Sequence, residues 1–360
     1  MSKSAARLHD AIRRGEVIRD LVIDSENYDG VDLSGGVFER VRFLNVGMKR
    51  TRLGDAVFNG CELHGVDLAH AELANCVFEQ CRLDSVSLAD SNLDGCVMSS
   101  TAAAGTNFCG VQANGFSCMK SDLSDAWFHD GRIDAAVFCE TRLARTDFMR
   151  AVVRKAVFYQ LDLTHMLMTD AIFHDTVFAE SSLVGQRMRG QRMHRCQFVR
   201  ADLRDADFTG ATLAYCNFQG AKLAGARLDG VEAPFSIFFE AHGQGAVCRD
   251  ATFRDSIWVQ ADLRHVDFSG AQLDRAVLQH AQCSGACFAR TSLAGSDFSY
   301  VDLTGADFGD ANFARTGFHG AISPDIAWHA HAGAIERDPA LSDAQKWSRR
   351  RDEGGRRDDR

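Results

Sequence analysis

The sequence is poor in the features that mark most enzymes and most membrane proteins. It holds three prolines in 360 residues, and Pro234 is the only one before residue 324. It has no apolar run long enough to span a membrane. Met1–Arg14 is polar and basic, unlike a secretory leader. A cytoplasmic location is therefore expected, with export by a route that uses no cleaved signal left open. The twelve cysteines include no C-x-x-C pair, which argues against a zinc knuckle. No phosphate-cradling glycine loop, nucleophile elbow or locally supported Ser/His/Asp set occurs. These absences point to a chain with no catalytic residues, no cofactor and no metal.

What is present is a period of five. Residues 201–230 read ADLRD ADFTG ATLAY CNFQG AKLAG ARLDG. The centres of these blocks are Leu203, Phe208, Leu213, Phe218, Leu223 and Leu228. Two residues before each centre sits a small wedge: Ala201, Ala206, Ala211, Cys216, Ala221 and Ala226. Five fits neither a helix nor a strand, so the pattern is that of a repeat architecture. The phase holds without a slip from Leu33 to Phe318, over fifty-eight blocks.

This pattern resembles the pentapeptide repeat family, whose blocks read A(D/N)LXX, over residues 16–322. The resemblance implies an all-β fold, a right-handed quadrilateral parallel β-helix with four blocks per coil and one per face. Centres and wedges would point inward. Residue n would stack on n+20 at about 4.8 Å, giving about fourteen coils and a rod roughly 70 Å long. Glycine is frequent two places after the centre, as at Gly60, Gly210 and Gly270, where a corner needs positive φ.

Taken in order, residues 1–15 read as an N-terminal helical cap, with Ser4 as N-cap and Gly15 as stop. Residues 16–322 form the β-helix. Residues 323–347 read as a C-terminal helical cap, opened by Ser323-Pro324, and residues 348–360 as a disordered charged tail. Two coils look weak. Residues 101–120 have Ala103, Ala113 and Cys118 as centres, and residues 231–250 have Ala233, Gly243 and Cys248. Either they are underpacked or they bulge. Gln186 and Gln191 are oversized polar wedges, so local irregularity is expected from Gln186 to Met193. Cysteine wedges such as Cys61, Cys81, Cys196 and Cys216 read as small buried hydrophobes with reduced thiols.

Formal charge is −9. Residues 1–15 carry +3 and residues 323–360 are balanced, which leaves −12 on the repeat. Such a body will not bind nucleic acid directly by counterion release. Two surfaces stand out. The first lies just before the centre on the face whose centres are mostly Phe, where the family prefers Asp or Asn. There the sequence has Val37, Val57, Val77, Val97, Val137, Val157, Val177, Ile237, Ile257 and Val277. Stacked twenty apart, these make an outward apolar stripe, expected to be covered by a second copy of the chain or by another protein. The second is a basic docking patch of Arg187, Arg189, Arg192, Arg195 and Arg200.

The expected function is a non-enzymatic protein-interaction scaffold, a rigid acidic rod that holds a protein partner; the resemblance brings in family members that accompany bacterial secretion systems. One alternative, also implied by the resemblance, is a DNA mimic that protects a type II topoisomerase such as gyrase. Its supporting feature is the Asp columns at 202/262/302 and 207/267/307. A translocated bacterial effector is the other.

Overall fold

The computed structural model describes residues 3–344 and 347. The chain forms two compact units, residues 1–217 and 218–360, and the division falls inside the repeat. Each unit winds as a right-handed quadrilateral parallel β-helix. In the first unit an eight-stranded parallel sheet starts at Val17–Arg19 and Val37–Glu39 and ends at Val157–Tyr159. A five-stranded sheet runs from Gln112–Asn114 to Arg192–His194, and a four-stranded one from Val22–Asp24 to Arg82–Asp84. Partners are always twenty residues apart, as in Phe38↔Phe58 and Phe138↔Phe158. The second unit keeps the same register through single bridges such as Ile237↔Ile257 and Asp302↔Ile322.

Every fifth residue from Asp20 to Gly320 has positive φ, with His165 the sole exception. Forty of these sixty corners are not glycine, so the corner demands the left-handed conformation and not the residue type. The ladder of bonds between coils outweighs the strain of about 1 kcal/mol that each such corner adds.

The core is a set of stacked columns. Phe38, Phe58 and Phe78 stack with centroids 4.8 Å apart, and Phe138, Phe158 and Phe178 at 4.9 and 5.3 Å. In the second unit Phe218, Phe238 and Trp258 stack at 4.8 and 3.8 Å. Neither weak coil bulges. Ala103, Ala113 and Cys118 are fully buried in phase, and the wedge Phe116 fills the space that Cys118 leaves, edge-on to Phe138 at 6.0 Å. In residues 231–250 the register also continues, Lys222↔His242 and Arg227↔Val247.

The expected irregularity at Gln186–Met193 is real, and it has a definite form. In most coils the amide after a wedge bonds back to the wedge carbonyl of the previous coil, as Asp207 N–H does to Gln186 O. Among the described residues that bond is missing from Arg187 to Met166. The Gln186 side chain replaces it: its Nε2 donates to Met166 O at 2.8 Å and to Leu163 O at 2.7 Å, and its Oε1 accepts the Arg187 amide at 2.9 Å. Gln191 Nε2 likewise donates to Ala171 O. The one corner without positive φ, His165, lies beside this splice.

The ends differ from expectation. The N-terminal helix is Lys3–Arg13, burying Ala5, Leu8 and Ala11. Ser4 lies inside it rather than at its cap, and its hydroxyl meets the Tyr28 hydroxyl at 2.9 Å. Gly36 lets the helix approach, since a Cβ there would sit 3.0 Å from Ile12 Cδ1. No helix starts at Ser323-Pro324. Ile322 still bridges to Asp302, so the solenoid runs on, and the chain then makes a turn and a short 3-10 helix at Trp328–Ala330. A strand at Ala334–Ile335 pairs with Thr316–Gly317. The cap is one ring: Trp328 stacks on Phe318 at 3.7 Å, and its Nε1 donates to Ser323 Oγ at 2.7 Å. Helical residues resume at 339–344. The tail expected at 348–360 lies outside the described residues.

Polar wedges have a specific use. Where a block forms a strand, the amide three residues after the centre does not return to the centre's carbonyl. A hydroxyl or thiol wedge twenty-three residues later gives several of these centre carbonyls a further donor, and some turn blocks receive one too, as Leu53 O does from Cys76 at 2.7 Å. Cys61 Sγ donates to Phe38 O at 3.3 Å, Cys81 to Phe58 O at 3.2 Å, Thr101 to Phe78 O at 3.0 Å, and Thr141 to Cys118 O at 2.9 Å. The cysteines are thus donors as well as small apolar fillers, and all twelve are free thiols. By contrast the buried Thr106 hydroxyl has no partner among the described residues. Thr141→Val should therefore lower stability by about 1–2 kcal/mol, whereas Thr106→Val should be neutral or stabilising. Thermal melts of the two variants side by side check this, and equal losses would remove the wedge argument.

Candidate interaction surfaces

The residue before the centre takes part in how a face is finished. Asp or Asn there accepts the amide two residues on and closes a turn: Asp32 takes Ser34 N–H at 3.1 Å, Asp207 takes Thr209 at 3.0 Å, and Asp302 takes Thr304 at 3.0 Å. Valine cannot do this. In the first unit the blocks of Val37 to Val157 are extended and, with the Val17 and Ser117 strands, make the eight-stranded sheet, whereas the Val177 block closes a turn.

That sheet places the predicted stripe in one file. Val37, Val57, Val77 and Val97 are in register, then Ser117 interrupts, then Val137 and Val157 continue, with Val177 bridged to Val157. Most are half-buried; Val137 reaches 37% exposure. Val17 begins the file at 37% exposure. The sequence reading missed it because it precedes the first regular coil. The second outward column, just after the centre, changes along the unit. It is charged or polar at Arg19, Glu39, Asn59 and Glu79, then uncharged at Ser99, Met119, Cys139, Tyr159, Ala179 and Val199. Met119 and Tyr159 are 41% and 39% exposed. From Val97 to Val199 this face therefore carries no charge in either column. In the second unit, Ile237, Ile257 and Val277 form their own file, with Phe239 and Val259 beside it, and Asp297 ends it.

The basic patch is not one surface. Arg187 and Arg189 flank one centre, Arg192 precedes the centre on the next face, and Arg195 and Arg200 stand at two further corners. Three of the five are bound to acids: Arg195 to Asp175 at 2.6 Å, Arg200 to Glu180 at 3.1 Å and Arg189 to Asp207 at 3.7 Å. Corner pairs of this kind recur, as in Arg40–Asp20, Arg145–Asp125 and Arg275–Asp255. The guanidinium holds each of these aspartates below its ordinary range, chiefly by hydrogen bonding. A corner acid with an arginine twenty residues later is a signal that a reading along the chain passes over. The Asp columns are similarly occupied. Asp202 and Asp262 are gripped by Arg204 and Arg264 of their own coils, at 2.7 and 2.6 Å, and Asp267 by Arg249 at 2.6 Å.

The face of the five-stranded sheet was not singled out by sequence. Its outward columns are Gln112, Arg132, Val152, Ile172, Arg192 and Asn114, Asp134, Arg154, His174, His194, each in register. His174 and His194 rings lie 5.9 Å apart. No group of three or more ligating side chains placed to hold a metal ion occurs among the described residues.

Stacked five-residue blocks with four to a coil define a solenoid repeat protein. The profile described as pentapeptide repeat region matches residues 31–108, and that of pentapeptide repeats (8 copies) matches 171–210, 192–230, 246–280 and 276–315. The chain belongs to the pentapeptide repeat family. No curated protein sequence matches it. Among solved structures it is similar to a trypsin-treated variant of QnrB1, a plasmid-mediated fluoroquinolone resistance protein, at 18% identity over 54% of this chain and 90% of that one, with a TM-score of 0.36. It is also similar to HetL, involved in heterocyst differentiation regulation in the cyanobacterium Nostoc, at 19% identity over 88% and 96%, TM-score 0.19. A pentapeptide repeat protein of the Arabidopsis thaliana thylakoid lumen matches at 30% identity over 32% and 66%, TM-score 0.19. No helix among the described residues is long and apolar enough to cross a membrane.

Burial, and then the neighbouring His194, push the His174 ring below the usual histidine range. In an NMR titration His174 should gain its proton at lower pH than a free histidine, and His194→Ala should move its midpoint upward. An unchanged midpoint in that variant would remove the coupling.

Proposed function

We propose that this protein is a non-enzymatic scaffold that binds a protein partner, and that it does so through the valine face of the first unit. The single observation that carries this is the in-register file of Val37, Val57, Val77, Val97, Val137, Val157 and Val177 with its uncharged second column from Ser99 onward. Strand propensity alone would be served as well by threonine. None stands in this file. An apolar strip of this length on an outward face usually marks an interface. The occupant is a second copy of this chain or another protein. Val77→Lys, Val97→Lys, Val137→Lys and Val157→Lys together should abolish that assembly in light scattering and pull-down while circular dichroism stays that of the parent. A wild-type monomer whose partner binding survives all four changes would reduce the strip to strand propensity.

The second reading is a DNA mimic acting on a type II topoisomerase. The net −12 of the repeat favours it. The pairing of Asp202, Asp262 and Asp267 with arginines weakens it, because those carboxylates are already neutralised. Under this reading the protein would inhibit gyrase supercoiling, or protect the enzyme from a quinolone, in a salt-sensitive manner. No effect at about micromolar protein would discard it.

A further inference from the structure

Charge is unevenly distributed along the first unit. Residues 51–131 carry three basic and eleven acidic side chains, whereas residues 132–200 carry eleven basic and seven acidic. Most arginines of the basic stretch are answered one coil away, as Arg145 is by Asp125 and Arg150 by Asp130. On the face of the five-stranded sheet the answer is missing. Arg132, Arg154, Lys155 and Arg192 make no ion pair among the described residues, and all four are exposed. The nearby Asp175 is taken by Arg195.

We propose that this face binds a short acidic segment of a partner protein. Three coil steps separate Arg132 from Arg192, about 14 Å, the reach of four or five residues of extended chain. Between the two arginines Val152 and Ile172 are half-buried and form an apolar floor, so a segment alternating acidic and apolar residues meets both kinds of surface. A groove of about 450 Å³ opens at one end of the run; Arg132, Arg154, Gln112 and Asn114 line it together with Asp94 and Asp134, so the acidic segment meets its cations beyond that end, toward Arg192. Unpaired guanidinium groups are the natural bidentate partners of carboxylates. Nucleic acid fits less well. A strand of phosphates continues past this short run, and the coils before Arg132 are strongly acidic. The surface is separate from the valine face and does not depend on it.

The test uses the full chain and a fluorescein-labelled hexaglutamate peptide, read by anisotropy at about 50 mM salt, where surface charge is only partly screened. Saturable binding is expected, and Arg154→Glu with Arg192→Glu should weaken it by about tenfold or more. Arg145→Gln with Arg150→Gln, which touches only paired corners, should change it by less than about twofold. A labelled oligothymidylate of similar charge should bind more weakly. Circular dichroism of each variant guards against misfolding. The proposal fails if hexaglutamate shows no saturable binding, if the two pairs of substitutions weaken it equally, or if the oligonucleotide binds more tightly.

Discussion

The parallel ladder between residues twenty apart is the constraint from which the rest follows. It fixes the coil at four blocks of five and places a left-handed residue at every corner from Asp20 to Gly320 but His165. It also stacks like side chains directly over one another. A chain obeying it has little freedom inside and much outside. Centres and wedges must fill a narrow core, while the remaining positions are released from packing. That release is why the outward columns can differ so sharply between faces of the same unit.

The columns are not independent of the backbone. An aspartate or asparagine before the centre closes its own turn by taking an amide, so a face rich in them is a face of turns. The valine blocks from Val37 to Val157 are extended, whereas those of Val177, Ile237, Ile257 and Val277 close turns, and the centre carbonyls of four extended blocks take a further donor from the next coil, Cys61, Cys81, Thr101 or Thr141. The Gln186 splice uses a side chain in place of backbone, its amide standing in for one rung of the ladder.

The fold was legible because a fixed phase of five is a long-range pattern that needs no knowledge of neighbours. The valine stripe was legible for the same reason, since stacking follows from counting by twenty. Val17 escaped because the count began at the first regular block. The arginine patch was misplaced because crowding along the chain is not crowding in space: residues 187 to 200 cross three faces. The cations that do share a face, Arg132, Arg154 and Arg192, are spread over sixty residues. The C-terminal helix was expected from local capping signals. The open end of the second unit took precedence, since Phe318 needed a ring and Thr316–Gly317 a strand partner.

The corners carry a consequence for how such a chain can change over generations. Forty of the sixty left-handed corners between Asp20 and Gly320 bear a side chain, and those side chains stand over one another from coil to coil. A carboxylate at one corner is answered by an arginine at the next, as at Asp20 and Arg40 or Asp125 and Arg145. Substitutions at the corners should therefore be inherited in pairs separated by twenty residues, leaving the columns of the faces free to change on their own.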